Sequence, residues 1–314
     1  MSADLSNITS LLRDVTDGPV VVVTGAAGAI GREVALEFAR SGARVVVNDI
    51  GCSVLGEGGD PDLAHKVVDE IRAVGGQAVA NVDSVADMAG AIRMVEAALD
   101  TWGRIDAVVN NAGILRDRMF HNMSKDEWDA VLRVHLDGAF HLSRAAATHF
   151  RSQKSGAFVH MTSTSGLIGN LGQANYSAAK LGMVALSKSI ALDMAAYGVR
   201  SNCIAPFASS RMTGAIPTAD HQQDRIARLE KMIPAKVAPL AVYLASDQAS
   251  DVNAQVFAVR NNEIFLMSQP RPLRSVHSGE GWTLETIQHH AMPALKASFV
   301  AFDRSGDVFS WDPL

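Results

Sequence analysis

From about residue 19 to residue 260 the chain alternates between short apolar, β-branched runs and longer stretches with helical periodicity. The strand candidates are VVVVT (20–24), ARVVVND (43–49), QAVAN (77–81), IDAVVN (105–110), GAFVHMT (156–162), VRSNCIA (199–205) and QVFAV (255–259). Helices fit between them, over 29–41, 62–74, 87–102, 124–152, 173–197 and 235–246. Strands that are apolar throughout are buried on both faces, and strands separated by helices are joined by right-handed crossovers. The rhythm therefore predicts an α/β fold: a parallel sheet between two helical layers, with every strand's carboxyl end on the ligand-binding edge.

Two regions break the rhythm. Residues 50–61, IGCSVLGEGGDP, read as a glycine-rich loop after the second strand. Residues 261–314 show no strand–helix alternation: SQPRPLRSVHSGEGW is loop-like, and TLETIQHHAMPALKASF reads as a helix interrupted at Pro293. Too short and too polar for a core of its own, this stretch is expected to be an arm. The expected organisation is a 1–18 extension, one domain over 19–260 and the arm over 261–314.

The formal charge of −5 over 314 residues argues against nucleic acid or an anionic membrane as the main partner, since both need clustered cations. No apolar stretch approaches the ~18 residues of a membrane span, and MSADLSNITSLLRDVTDG lacks the apolar core of a secretory signal. Cys52 and Cys203 are too few for a disulfide framework or a metal cage and read as buried thiols. A soluble, cytoplasmic protein without a metal is expected.

TGAAGAIG, residues 24–31, lies between the first strand and the first helix. Gly25 suits a tight turn and Gly31 a helix packed closely on the sheet, while the helix N-terminus near Ala29 offers free N–H groups to a pyrophosphate. Asp49 ends the second strand, 24 positions after Gly25. That is about the spacing at which a carboxylate reaches the adenosine ribose hydroxyls. Its charge would repel a 2′-phosphate, so NAD is expected over NADP. Arg32, in the first helix, suits a solvent-facing or phosphate role.

Tyr176 and Lys180, in QANYSAAKLG, stand four apart and so share one helix face. A phenol of pKa ~10 is a poor base at neutral pH, but a fixed ammonium beside it and a positive nicotinamide ring lower that value. Ser163, in MTSTSG, lies thirteen residues before Tyr176 at a strand end and suits holding a substrate oxygen.

With these motifs, residues 19–260 resemble the classical short-chain dehydrogenase/reductases. The resemblance implies a Rossmann-like three-layer α/β/α sandwich with a seven-stranded parallel sheet, followed here by the C-terminal arm. It implies Ser163, Tyr176 and Lys180 as the catalytic residues, with Tyr176 and Lys180 also contacting the cofactor. TGAAGAIG matches the cofactor loop, which assigns Gly25, Gly28, Ala29, Ile30 and Gly31 to it, alongside Asp49. NNAG matches the sheet-stabilising motif, with Asn111, Ala112 and Gly113 near the cofactor, and Asp83 with Ser84 matches the adenine contact. Pro206 and Thr213, or Ser210 in place of Thr213, correspond to the nicotinamide side.

More narrowly, VVVNDIG, NNAGILRDRMF, WDAVLRVHLDGAF and GQANYSAAK resemble the (3R)-hydroxyacyl-CoA dehydrogenase domain of multifunctional β-oxidation enzymes and related bacterial enzymes of steroid side-chain degradation. The sequence departs from the wider family at four places. Ala29 replaces a loop glycine, His135 the asparagine that orders a relay water, Phe207 the glycine after Pro206, and Asn261–Asn262 a Gly-Gly pair. The hydroxyacyl-CoA branch shares the histidine, so His135 joins the catalytic candidates.

The implied activity is NAD-dependent interconversion of a secondary alcohol and a ketone, with a (3R)-hydroxyacyl-CoA first among substrates and a hydroxysteroid next. A reductase of 3-oxoacyl thioesters or bulky ketones is the alternative, and a dinucleotide-binding sensor without chemistry is disfavoured by the intact Ser163, Tyr176 and Lys180. Leu115, Arg116, Arg118, Leu167, Gln173 and the 207–233 segment are candidate substrate contacts. Family members associate through helices like 87–102 and 124–152, so a homo-oligomer is expected. Trp282, Leu284, Ile287, Met292, Leu295, Phe299 and Phe302 then suit crossing to a neighbouring subunit rather than packing on their own domain.

Overall fold

The computed structural model describes residues 18–208 and 231–314. Ser210, Thr213 and most of the 1–18 extension lie outside the described residues. The strands are β1 (Val20–Thr24), β2 (Arg44–Asn48), β3 (Gln77–Asn81), β4 (Ala107–Asn110), β5 (Gly156–Met161), β6 (Val199–Phe207), β7 (Val256–Arg260) and β8 (Glu263–Leu266). Their order is β3-β2-β1-β4-β5-β6-β7-β8. The first seven pair in parallel. β1 therefore lies at the centre, and the chain changes direction across the sheet between β3 and β4. In open α/β sheets, ligands bind at such a switch point, outside the carboxyl ends of the strands.

Alternate residues of β1 feed opposite layers, as a period of two requires. Val21 and Val23 join Val34, Phe38, Val67 and Ile71 beneath α1 (Ala29–Arg40) and α2 (Asp62–Ala73). Val20 and Val22 join Met94, Val95, Leu142 and Phe150 beneath α3 (Met88–Trp102) and α5 (Gly138–Gln153). Both faces are thus covered, which is why β1 and β2 carry unbroken runs of buried valine. α6 (Thr164–Leu167), α7 (Ala174–Met194) and α8 (Ala238–Ala245) complete the helices around the sheet.

Three features differ from the sequence reading. The expected helix over 124–152 is divided. Ser124 caps α4 (Lys125–Leu132) with a reciprocal Ser124–Glu127 box, and a wide π-type turn over Arg133–Asp137 then leads into α5. Such a turn inserts an extra residue and re-aims the side chains after it. Second, β8 extends the sheet by one antiparallel strand inside what reads as arm. Its two-residue turn puts Asn261 at φ +56°, a left-handed conformation that asparagine tolerates better than most residues. Third, Pro293 does not break the arm's helix; a π-type turn over Ile287–Ala291 precedes it, and it sits in the first turn of Met292–Lys296.

The arm divides into two parts. Leu284, Phe299 and Phe302 are wide open to water, and Trp282, Ile287 and Met292 are also exposed, with Leu295 half-buried. Residues 305–314, by contrast, come back onto the chain's own sheet, with Ser305, Phe309 and Pro313 buried. The expectation that the arm leaves its own domain therefore does not hold for its last ten residues. No helix among the described residues is long and apolar enough to cross a membrane.

Candidate active site

The carboxyl ends of the parallel strands bound a cleft of about 390 Å³. At its centre β1 runs out at Thr24 into a turn where Gly25 has φ +63°. A Cβ on Gly31 would meet the Gly25 carbonyl oxygen at 2.2 Å and Asn111 Nδ2 at 2.6 Å, so only glycine lets α1 approach so closely. The turn is locked to the end of β4. Asn111 and Ala112 donate their backbone N–H groups to Thr24 Oγ1 at 3.0 and 3.1 Å, and Asn111 Nδ2 donates to the carbonyls of Thr24 (2.9 Å) and Gly25 (3.1 Å). Asn111 thus shapes the loop while lining the cleft beside Ala112 and Gly113.

α1 starts at Ala29 with Gly28 as its cap, no side-chain cap and no acid in its first turn. Its first N–H groups, lacking intrahelical partners, make a cradle for an anion. Gly28, Ala29, Ile30 and Gly31 all line the cleft, and Ala29 is exposed there. Asp49 stands alongside, Oδ2 accepting from Ala27 N at 2.9 Å and Oδ1 from Gly51 N at 2.7 Å. Asp83 and Ser84 line the far side, where the Arg93 guanidinium holds the Asp83 carboxyl below the usual carboxylate range. Arg32 is turned away onto Glu33 and Glu70 and does not serve as a phosphate ligand in this arrangement.

The glycine-rich loop after β2 contributes more to this cleft than its sequence suggests. Cys52, Ser53, Val54, Leu55 and Gly56 line it, tied across to the segment after β4. Leu115 N donates to the Val54 carbonyl at 2.9 Å, Arg116 Nε donates to Leu55 O at 2.7 Å, and Arg116 pairs with Glu57 at 3.4 Å. Cys52 is therefore a half-buried cleft residue, not the core thiol expected, whereas Cys203 is buried in the sheet. The signal available in the sequence was position: a glycine run directly after Asp49.

Tyr176 and Lys180 line the opposite end of the same cleft, with Met161, Thr162, His135 and Pro206. Ser163 caps α6, accepting from Ser165 N at 3.1 Å, and its hydroxyl hydrogen-bonds with the Tyr176 phenol. Lys180 Nζ donates to the Met161 carbonyl at 2.5 Å and lies 5.6 Å from the centre of the Tyr176 ring. Burial pushes Tyr176 up to about 12, opposed by the Ser163 hydrogen bond, while the Asp117 charge raises it further. Burial likewise pushes Lys180 down to about 7. In the protein alone burial dominates the phenol, and the lowering expected of Lys180 together with a positive nicotinamide ring concerns the cofactor-bound site.

Asn175, which sequence reasoning passed over although it precedes Tyr176, fixes this end of α7. It is fully buried, donates to the carbonyls of Arg116 and Glu127 at 3.0 Å each, and accepts from Tyr176 N at 2.7 Å. Among the expected substrate contacts, Arg116 reaches the cleft, whereas Arg118 is drawn to Glu127 and Gln173 is buried between Asp117 and Ser165. Leu115 is buried and Leu167 packs near Val184 and Cys203.

His135 occupies the wide turn before α5, its ring edge-on to Tyr176 at 5.2 Å between centres. Nε2 lies 2.8 Å from the Ile114 carbonyl and 3.0 Å from Ile114 N. Nδ1 is the one buried side-chain nitrogen or oxygen among the described residues that has no hydrogen-bond partner. Gly113 makes room for the ring, since a Cβ there would fall 2.2 Å from His135 Cε1.

A second buried histidine, His160, bridges Asn110 Nδ2 and Ser201 Oγ, both at 3.2 Å. Burial, helped by the Lys180 charge, pushes it down to about 3, and burial holds His135 well below its ordinary value. An unfolded chain protonates histidine near 6.5, so from about pH 6.5 down to 3 it binds protons the native chain refuses. Stability is therefore fully present above 6.5 and falls as pH falls, by up to about 1.4 kcal/mol per pH unit for each histidine. In urea unfolding between pH 7 and 5, His160→Asn is expected to show a shallower loss than the wild type. Equal slopes would remove His160 from the account.

This architecture, with a glycine turn, an acidic strand end and the Tyr176–Lys180 pair on one cleft and Ser163 behind Tyr176, defines a nucleotide-dependent oxidoreductase of alcohols and ketones. The short chain dehydrogenase family model matches residues 19–221. A short-chain type dehydrogenase/reductase of Mycobacterium tuberculosis is 50% identical over 245 residues, covering 78% of this chain and 83% of that one. Hydroxyacyl-CoA dehydrogenase ChsB1 of the same organism is 41% identical over 296 residues, 88% of this chain and 89% of that one. The mouse peroxisomal multifunctional enzyme type 2 is 48% identical over 243 residues, 77% of this chain but 32% of that much longer one. The crystal structure of a short chain dehydrogenase from Mycobacterium avium superposes with a TM-score of 0.77 at 41% identity, covering 90% of this chain and 96% of that one. The chain belongs to the short-chain dehydrogenase family, whose members use a nicotinamide cofactor.

Proposed function

We propose that the protein oxidises (3R)-hydroxyacyl-CoA thioesters to 3-oxoacyl-CoA, with NAD as hydride acceptor. The observation that carries this is the presence of Tyr176 and Lys180 on the same cleft as Asp49 and the Gly25–Gly31 turn. The thioester assignment draws on likeness to the hydroxyacyl-CoA dehydrogenase over nearly the whole chain.

The residues suit the cofactor: the uncapped start of α1 for the pyrophosphate, Asp49 for the adenosine ribose, and Asp83 with Ser84 beyond it. When bound, the oxidised nicotinamide supplies a hydride acceptor and a positive ring. Tyr176 takes the hydroxyl proton, and Ser163, already hydrogen-bonded to the phenol, holds the substrate oxygen. Lys180, anchored by Met161, favours the phenolate and binds the nicotinamide ribose. The 3-oxoacyl reductase and hydroxysteroid readings use the same groups. Asp49 favours the oxidative, NAD-linked reading, because anabolic reductases favour NADP.

The expected oligomer finds support in a groove between α3 and α5, lined by Met88, Ile92, Val95, Leu99 and Ala145. With it go a cytoplasmic setting, one catalytic domain built on 19–260 and completed by β8 and residues 305–314, and an exposed middle of the arm that meets another copy. The deciding experiment is a panel of hydroxyacyl-CoA thioesters and hydroxysteroids with NAD, followed by absorbance of the reduced cofactor. Turnover of thioesters with R configuration is expected; turnover of hydroxysteroids alone would overturn the thioester reading.

His135 is read as the relay group, since its buried Nδ1 has no hydrogen-bond partner and its ring lies edge-on to Tyr176. His135→Asn is expected to keep most activity and His135→Ala to lose more. Were the ring only a strut for Ile114, both variants would lose thermal stability alike and turnover per folded molecule would not distinguish them.

A further inference from the structure

The last residues of the arm touch two chain segments that flank the catalytic groups. Gly169 lies between Ser163 and Tyr176, and its carbonyl accepts from Ser305 N at 3.0 Å and Ser305 Oγ at 3.2 Å. Phe207 follows Pro206, which lines the cleft, and its ring meets Phe309 edge-on at 4.8 Å. One short strap thus contacts both segments, Ser305 bonding to Gly169 and Phe309 packing on Phe207 across roughly a hundred residues or more of sequence, and Phe207 adjoins the cleft-lining Pro206.

The strap is pinned at its other side by the β7–β8 hairpin. Arg260, with its side chain 4% exposed, pairs with Glu263 at 3.2 Å and donates to the carbonyls of Trp311 and Phe309. Trp311 Nε1 donates to Glu263 Oε1 at 2.8 Å, and Asn261 Nδ2 and Asn262 N donate to the Leu314 oxygen at 2.6 and 3.0 Å. A buried ion pair with all these partners is rigid, and breaking one member leaves the other uncompensated. Gly169 itself has φ +136°, and a Cβ there would meet nothing within 4 Å. Beside Ser305, that point is held by the Gly169 N–H on the Thr164 carbonyl at 3.2 Å. The wall's far end is fixed separately, by Arg118 N on the Gly172 carbonyl (2.8 Å) and Gln173 Nε2 on Asp117 (2.8 Å).

We propose that Ser305–Leu314 is a positioning element of the substrate site, setting through Gly169 and Phe207 how bulky an acyl group the site accepts. The choice of acyl group rests on the function proposed above; the contact itself does not. These residues act on the walls and not on the reacting atoms, so their loss is read in KM and selectivity before kcat.

The test compares Phe309→Ala, Phe309→Leu and Val74→Ala, the last at an exposed position at the end of α2, in the full chain. Steady-state kinetics with a short and a ring-bearing hydroxyacyl-CoA are joined to fluorescence titration of NAD and to hydrogen exchange over 166–173. Phe309→Ala is expected to change the bulky-to-short ratio of kcat/KM at least ~10-fold, through KM, since small misplacements of a binding wall have large effects. Exchange over 166–173 rises, NAD affinity stays close to wild type, Phe309→Leu recovers most of the ratio, and Val74→Ala behaves as wild type. An unchanged ratio, unchanged exchange, or a uniform loss for both substrates together with NAD affinity would each overturn the proposal. A wild type that turns over no thioester overturns the functional reading instead, and the ratio is then taken between a small and a bulky secondary alcohol that it does oxidise.

Discussion

Tyr176→Phe is expected to lower kcat by at least ~10²-fold while NAD affinity stays nearly unchanged. The variant removes one oxygen from a buried ring. The groups that define the cofactor end, namely the Gly25–Gly31 turn, the start of α1 and Asp49, lie at the other side of the cleft and keep their bonds. The pH dependence has a definite sign. Oxidation needs the phenolate, and burial pushes the phenol up to about 12 in the protein alone, so the oxidative rate climbs with pH into the alkaline range. Reduction needs the neutral phenol and declines over the same range. Stopped-flow hydride transfer in both directions checks this, and a variant turning over within tenfold of wild type would show that another group moves the proton.

Replacing Asp49 changes cofactor choice by a comparable factor. A unit charge pair at ~4 Å, with an effective dielectric near 20, is worth on the order of 4 kcal/mol, and a 2′-phosphate carries about two charges. Even half of that exceeds tenfold in affinity. Asp49→Ser is therefore expected to reduce the NAD-over-NADP preference more than tenfold. The structure adds a control. Because Asp49 also accepts from Ala27 N and Gly51 N, a serine loosens the turn as well as removing charge. Asp49→Asn retains an acceptor oxygen in nearly the same shape, so the preference falls with less loss of NAD affinity. Should the wild type already prefer NADP in steady-state kinetics, the assignment of Asp49 is wrong and the reductase reading gains.

What the sequence by itself determined is whatever depends on short-range pattern. Seven apolar runs predicted seven parallel strands within a residue or two of their ends, because a strand buried on both faces must be apolar along its length. The Gly25–Gly31 turn, Asp49, and Tyr176 four residues before Lys180 were legible for the same reason: a turn, a strand end and a helix face each impose local spacing.

Only the tertiary structure decided the rest, and each case depends on partners distant in the chain. β8 carries alternating exposed and half-buried residues and exists because it pairs with β7, while Phe265 packs on Phe309. The break at Arg133–Asp137 leaves a helical sequence pattern intact, yet it seats His135 against Ile114 and Gly113. The charged states at the catalytic end are not legible from spacing, because desolvation is set by everything packed around a group and a four-residue spacing says nothing of it. The final ten residues fall within the expected arm, and their pattern is too short to show which face packs. They became part of the domain only when Arg260, Phe207 and Gly169, gathered from three separate strand ends and loops, offered partners for an ion-pinned strap.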